Sequence, residues 1–142
     1  MRQNLVGGNA DECSDDHLLS TLRTCGLAAV ADRGLDGTLG ALSDGQKQLF
    51  CVARALVRRP TILVLGEATA DLDQESANKL LQVIEENFTD TTVISIAHRL
   101  NFIRGSDRVP VLDAGGTVDA FGPPEELLKD SDGCKSNSET LL

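Results

Sequence analysis

The chain has 142 residues, 41% of them hydrophobic, which suits one globular domain or a substantial piece of one. Thirteen basic against 22 acidic residues give a formal net charge of −9, which argues against nucleic acid as a partner because phosphate backbones are also anionic. No apolar run approaches the roughly 20 residues that cross a bilayer, so direct membrane insertion is not expected. The four cysteines form no CxxC pair, so neither a metal site nor a disulfide framework is predicted.

Two helices are predicted to begin at serine caps. Ser14 precedes acidic residues that suit a helix amino terminus, and we expect about 10 helical residues before a stop at Gly26. Ser43 precedes the strongest helix signal in the chain, and Pro60 blocks the continuation of that helix. The apolar positions that follow a helical repeat are Leu18, Leu19 and Leu22 in the first helix, then Leu49, Val52, Ala53 and Leu56 in the second.

Two short apolar runs, residues 61–65 and 91–97, predict strands that are buried on both faces of a parallel sheet. Between them Asp73 can cap a further helix. The order strand, helix, strand predicts a right-handed crossover. The inward face of the connecting helix is expected to carry Ala77, Leu80, Leu81 and Ile84.

The last third of the chain predicts a hairpin and a short helix. The expected elements are strands at residues 109–112 and 117–121 around Gly115 and Gly116, an acidic helix opened by Pro123 and Pro124, and a polar tail from Ser131 onward. Pro110 has no amide to donate, so its strand is expected to be distorted or to lie at a sheet edge.

Two kinds of position are candidates for chemistry. Glu67 and His98 follow the two apolar strands, and parallel strands bring their carboxyl ends to one rim of the sheet, where ligands gather. A carboxylate there can orient water, and an imidazole can sense a phosphate. Residues 42–46 place a hydroxyl and flexible amides at a helix amino terminus, which suits a phosphate. Each feature taken alone also fits an ordinary strand end or an ordinary helix cap.

Several segments, taken in order, resemble the nucleotide-binding domain of ABC transporters. LSDGQKQLFCVARALVRRP resembles the ABC signature and its helix, ILVLGEATADLD resembles the Walker B strand and D-loop, and ISIAHRL resembles the strand that carries the switch histidine. DRVPVLDAGGTVDAFGPPEELL is similar to the end of such domains. RQNLVGGNADECSDDHLLSTLRTCGL is similar to the helical-subdomain segment of the multidrug-resistance-associated (C) subfamily. The resemblance spans about residues 2–130.

The resemblance implies an α/β fold, a partial P-loop NTPase (ABC ATPase) domain. Its parallel-sheet core would carry helices and part of the helical subdomain, without the Walker A half. Three parts are expected. They are residues 1–59 with the signature and its helix, residues 60–130 with the Walker B, D-loop and switch-histidine part of the core, and residues 131–142 as a polar tail.

The resemblance also implies two groups of site residues. The cofactor-binding group, which would face the γ-phosphate of ATP on an opposing domain or lie at the dimer seam, consists of Ser43, Asp44, Gly45, Gln46 and Asp73. In the catalytic pair, Glu67 would orient the attacking water and His98 would read the γ-phosphate. Glutamate at position 67 is similar to the second, catalytically competent domain of the C subfamily.

The chain departs from the family pattern in ways that bear on activity. No GxxxxGKS or GxxxxGKT occurs in it, and Gly66 stands where the Walker B aspartate would help to hold Mg²⁺. There is also no Tyr or Trp to stack on adenine. ATP and Mg²⁺ are therefore expected as cofactors in a full-length context, with no tight binding to the isolated chain.

The favoured hypothesis is a fragment of a transporter ATPase domain, inactive alone, that couples ATP to transport in its full-length context. The expected partners are an opposing nucleotide-binding domain and transmembrane domains, at the cytoplasmic face of a membrane. Two alternatives stay open: a non-catalytic module that docks on an intact nucleotide-binding domain, and a fragment of a soluble ABC ATPase. Marginal stability is also expected, with the face of Leu49, Val52 and Leu56 left uncovered.

Overall fold

The computed structural model describes residues 1–7, 13–36, 38–66, 72–96 and 100–131. Side chains are described for these residues except at positions 100, 101 and 129–131. Contacts between Cα atoms divide the chain into two units, Met1–Ile96 and Ala97–Leu142. Each unit is therefore considered by itself.

The described residues of the first unit form five helices and a pair of strands. Its helices are α1 (Arg2–Val6), α2 (Asp15–Thr24), α3 (Ala28–Ala31), α4 (Asp44–Arg58) and α5 (Gln74–Asn87), and its strands are β1 (Ile62–Gly66) and β2 (Thr92–Ile96). The strands run parallel and are in register from Ile62 opposite Thr92 to Gly66 opposite Ile96. The predicted α/β class and the parallel pairing are both confirmed. Among the described residues, no helix combines the length and the apolarity that crossing a bilayer requires.

Helix α2 has the start, length and end that the sequence predicts. The Ser14 hydroxyl accepts a hydrogen bond from the His17 amide at 3.3 Å, and the helix runs for 10 residues. Gly26, just beyond the last turn, has a φ of 76°. That left-handed conformation costs glycine little and most other residues much more, so glycine there ends the helix cleanly.

The core of the first unit lies among its helices. The side chains with essentially no exposed surface include Leu5, Leu18, Leu22, Leu27, Val30, Leu80 and Val83. Helix α4 packs against α1, α2 and α5, which surround much of its apolar face. Among the described residues, no buried side-chain polar atom lacks a hydrogen-bond partner. The helices of this unit therefore form an apolar core whose buried polar side chains, where described, are hydrogen-bonded.

The expectation that α4 presents an uncovered apolar face is wrong. Leu49 is only 6% exposed and Val52 only 3%, and Leu56 is half-buried. The reason is that α1, α2 and α5 cover these positions from within the same chain. A segment outside the described residues is not needed to bury them.

The expectation that both strands are buried on both faces is also wrong. Paired residues of a parallel sheet share a face, and one face here carries Ile62 (58% exposed), Val64 (66%), Ile94 (52%) and Ile96 (60%). Leu63 and Leu65, on the opposite face, are half-buried. The uncovered apolar surface therefore lies on the sheet. We call Ile62, Val64, Ile94 and Ile96 the open sheet face.

The second unit contains a hairpin between two helices. Its elements are α6 (Leu100–Arg104), β3 (Val109–Leu112), β4 (Val118–Gly122) and α7 (Pro124–Ser131). The strands pair antiparallel with Pro110 opposite Phe121, and the register shifts one residue further on, between Val111 and Leu112. Ser131, where a polar tail was expected, is the last residue of α7, and residues 132–142 lie outside the described part of the chain.

Candidate site at the amino ends of two helices

The amino terminus of α4 is held by a reciprocal pair of hydrogen bonds. The Gln46 amide donates to the Ser43 hydroxyl at 3.2 Å, and the Ser43 amide donates to the Gln46 side-chain oxygen at 3.1 Å. This capping box confirms Ser43 as the cap and gives Gln46 a definite structural task. Its sequence signal is the spacing of serine and glutamine three residues apart. Among the described residues, the amides of Asp44 and Gly45 have no partner, so they stay available at the helix end.

Asp44 adds a negative charge to the same turn. Its carboxylate accepts a hydrogen bond from the Lys47 ammonium at 2.7 Å. That hydrogen bond, followed by the charge of Lys47, lowers the pKa of Asp44 below its ordinary value. The carboxylate therefore stays ionised at neutral pH. Lys47 offsets part of this negative charge, so it reduces the repulsion that an anion would meet at the helix end.

The amino terminus of α5 is held by Asp73. One carboxylate oxygen accepts from the Ser76 amide at 2.9 Å, and the other accepts from the Ser76 hydroxyl at 2.7 Å. These two bonds, the amide bond first, lower the pKa of Asp73. The predicted cap is confirmed, and the structure adds Ser76 as its partner. Sequence reasoning missed Ser76, although its position three residues after Asp73 was a usable signal.

The two helix ends lie against each other. A Cβ atom placed on Gly45 would be 3.0 Å from the Ser76 hydroxyl oxygen, 3.3 Å from the Ser76 Cβ and 3.6 Å from Leu72 Cδ2. Ser76 therefore links Asp73 to residues 43–46. The family resemblance places these same residues in the cofactor-binding group. We call Ser43–Gln46 the signature loop.

The carboxyl ends of β1 and β2 form the other part of the candidate site. Gly66 pairs with Ile96, so both strands finish at the same end of the sheet. Glu67 and His98, the predicted catalytic pair, lie outside the described residues. Gly66 itself is exposed, and nothing lies within 4 Å of a Cβ placed on it. A larger side chain at position 66 would therefore meet no obstacle among its described neighbours.

The described residues contain no cluster of three or more His, Cys, Asp and Glu side chains that could hold a metal ion. Gly66 has no side chain to offer as a ligand. Asp44, in the signature loop, is engaged by Lys47. We therefore assign no metal to these residues.

One cleft of about 450 Å³ lies away from the candidate site. It is lined by residues at the starts of both strands, among them Thr61 and Thr91, and by Arg59 at the carboxyl end of α4. Gly66 and Ile96 lie at the opposite ends of these strands. The cleft is therefore not part of the surface built by Ser43 and Asp73.

Comparison with known proteins identifies the class to which this arrangement belongs. A family model described as ABC transporter matches residues 1–70. ABC transporter C family member 3 of Dictyostelium discoideum is 44% identical over 140 residues, covering 94% of this chain and 10% of that protein. ATP-binding cassette sub-family C member 10 of Mus musculus is 46% identical over 129 residues, covering 87% of this chain and 8% of that protein.

A solved structure gives the same result. A bacterial Atm1-family ABC exporter with ATP bound matches with a TM-score of 0.75 and 31% identity, covering 96% of this chain and 26% of that one. The fold is, in part, that of an ABC-type ATPase domain. The chain belongs to the ABC transporter family, and its relatives include members of the C subfamily. It spans about a tenth of the length of those two relatives.

The cap of α4 gives a testable stability increment. Ser43→Ala removes the hydroxyl that accepts from the Gln46 amide, so we expect the free energy of unfolding to fall by about 1 kcal/mol. Ser14→Ala, which removes the equivalent cap of α2, serves as the matched control and should cost a similar amount. Urea denaturation followed by circular dichroism measures both. A change of only a few tenths for Ser43→Ala alone would show that the capping box does not hold α4.

Proposed function

We propose that the chain supplies the signature half of an ATP site that is completed by an opposing nucleotide-binding domain. The observation that supports this most directly is the contact between the two helix ends, which brings the signature loop and Asp73 onto one surface. Ser43 and the amides of Asp44 and Gly45, which have no partner in the described part of the chain, are the groups that would face the γ-phosphate of ATP held by that domain. Asp73 would lie at the seam between the domains.

In a full-length context we propose that this half-site couples the binding and hydrolysis of ATP to transport across a membrane. The relatives are described as ABC transporters, and the matching structure is of an exporter with ATP bound. The partners would be an opposing nucleotide-binding domain and transmembrane domains. The setting would be the cytoplasmic face of a membrane. In this reading residues 1–59 carry the signature part, residues 60–130 the core part and residues 131–142 a tail.

Glu67 and His98 are the proposed catalytic pair. Glu67 follows β1 directly, and His98 follows β2 by two residues, so both come after strand ends that lie side by side. Glu67 would orient the attacking water, and His98 would read the γ-phosphate. The isolated chain is proposed to be inactive because Gly66 supplies no carboxylate for Mg²⁺ and the sequence contains no GxxxxGKS or GxxxxGKT loop for the phosphates.

A second candidate function is a non-catalytic module that docks on an intact nucleotide-binding domain. The observation in its favour is Gly66, which removes a metal ligand and leaves open space in its place. Both functions use the same surface. They differ in whether docking depends on the nucleotide.

The test measures association between the chain and an intact opposing nucleotide-binding domain. That domain comes from a C-subfamily relative, and it binds ATP but does not hydrolyse it. Ser43→Arg places a long side chain in the middle of the proposed contact, so we expect ATP-dependent association to weaken by at least about tenfold. Ser20→Arg is the matched control, because Ser20 is also an exposed serine but lies on α2. Association that is equally strong without ATP would favour the second candidate. Unchanged association of the Ser43→Arg chain would contradict both.

A further inference from the structure

The backbone of Gly45 does not explain why position 45 is glycine. Gly45 lies in the first turn of α4 and is not among the glycines with positive φ. Any residue could adopt its conformation. The reason on this structure is steric, since an added Cβ would lie 3.0 Å from the Ser76 hydroxyl oxygen and 3.3 Å from the Ser76 Cβ. Contacts that short require one of the two residues to move.

Ser76 is restrained where it lies. It is half-buried, and its amide and hydroxyl donate to the two oxygens of Asp73 at 2.9 and 2.7 Å. A small shift of Ser76 would strain these hydrogen bonds or pull Asp73 with it. Leu72, whose Cδ2 lies 3.6 Å from the same Cβ position, is buried and closes the other side. Ser76 and Leu72 therefore leave little room for a side chain at position 45.

We propose that Ser76 is a positioning residue that holds the signature loop against the amino end of α5. Asp73 sets the Ser76 hydroxyl, and that hydroxyl sets how closely the first turn of α4 approaches. The loop and Asp73 then move as one body, and glycine at position 45 is required by this packing. The proposal rests on the proposed function, in which Ser43 and Asp73 meet the same opposing domain.

The first experiment measures hydrogen exchange by mass spectrometry on the full chain. Gly45→Ala should raise exchange in peptides covering residues 43–49 by about fivefold, the effect of losing one helix cap. Ser76→Gly removes both close atoms and the hydroxyl, so by itself it should also loosen these residues. Adding Gly45→Ala to the Ser76→Gly chain should then raise exchange in residues 43–49 by no more than about twofold further. A further rise of about fivefold in that chain would overturn the proposal.

The second experiment uses the ATP-dependent association assay and separates positioning from general stability. Gly45→Ala should weaken association in the original chain but cause little further loss in the Ser76→Gly chain, which lacks the atoms that the added Cβ would meet. Ser76→Thr keeps the hydroxyl and should associate like the original chain, whereas Ser76→Ala should associate about fivefold more weakly. Ser20→Ala, which removes another exposed hydroxyl bond, to the His17 carbonyl, should change nothing.

The two experiments together distinguish the possible failures. If Gly45→Ala no longer raises exchange in the Ser76→Gly chain but still weakens its association, glycine at position 45 serves the nucleotide directly, and the packing proposal is wrong. If the original chain does not associate with the opposing domain at all, the proposed function fails. The exchange result then still decides whether Ser76 holds the signature loop.

Discussion

We expect neither the Gly66→Asp chain nor the unaltered chain to hydrolyse Mg·ATP above the background of a heat-inactivated sample. The substitution fits the described residues, none of which, apart from the chain neighbours of Gly66, has an atom within 4 Å of a Cβ at position 66. The absence of hydrolysis would therefore reflect missing catalytic groups and not a steric clash at position 66. An aspartate would add one ligand for Mg²⁺, but phosphoryl transfer also needs a cradle of backbone amides and a lysine on the phosphates. No GxxxxGKS or GxxxxGKT occurs in the sequence to supply them.

Phosphate release over several hours measures this prediction, with Gly66→Asn as the matched uncharged control. Activity should appear only when the Gly66→Asp chain is combined with the segment of a relative that carries the phosphate-binding loop. Isothermal titration of the isolated chain with Mg·ATP is the stricter check. Stoichiometric binding in the micromolar range would contradict the prediction, because it would show that the isolated chain has a nucleotide-binding site of its own.

The helix caps could be predicted from sequence because their cause is local. Ser14, Ser43 and Asp73 each accept a hydrogen bond from an amide three residues further on, and that geometry depends on the chain over one turn only. The parallel pairing of β1 with β2 was predictable for a similar reason, since a helix separates two apolar runs. These features give the fold class and two residues of the candidate site, Ser43 and Asp73.

Burial could not be predicted in the same way, because it depends on which segments meet. The helical repeat in α4 identified an apolar face but not its cover, which α1, α2 and α5 provide. The apolar run of β1 identified a strand that suits burial, yet Val64 is exposed. The role of Ser76 was missed for the same reason, because the approach of Gly45 to it is a contact between two helices.

Leu80→Ala is expected to lower the free energy of unfolding by about 2–5 kcal/mol, the usual cost of emptying a buried leucine site. Leu80 has no exposed surface and lies on α5, which packs against α4. Domains have only about 5–15 kcal/mol of stability in total. This chain also leaves apolar strand residues uncovered, so its total should lie near the bottom of that range. The loss should therefore leave much of the Leu80→Ala chain unfolded, as circular dichroism and urea denaturation would show.

The open sheet face supplies the matched control. In the double variant Val64→Thr with Ile94→Thr, two exposed apolar side chains become polar, and both replacements keep a β-branched side chain that suits a strand. Stability should change by no more than about 0.5 kcal/mol per site, since little buried contact is lost. Binding of a dye that reports apolar surface should fall, and so should self-association, because these two residues form half of the open sheet face. If the double variant instead unfolds like Leu80→Ala, the sheet face is covered in solution, and the chain's core extends beyond its helices.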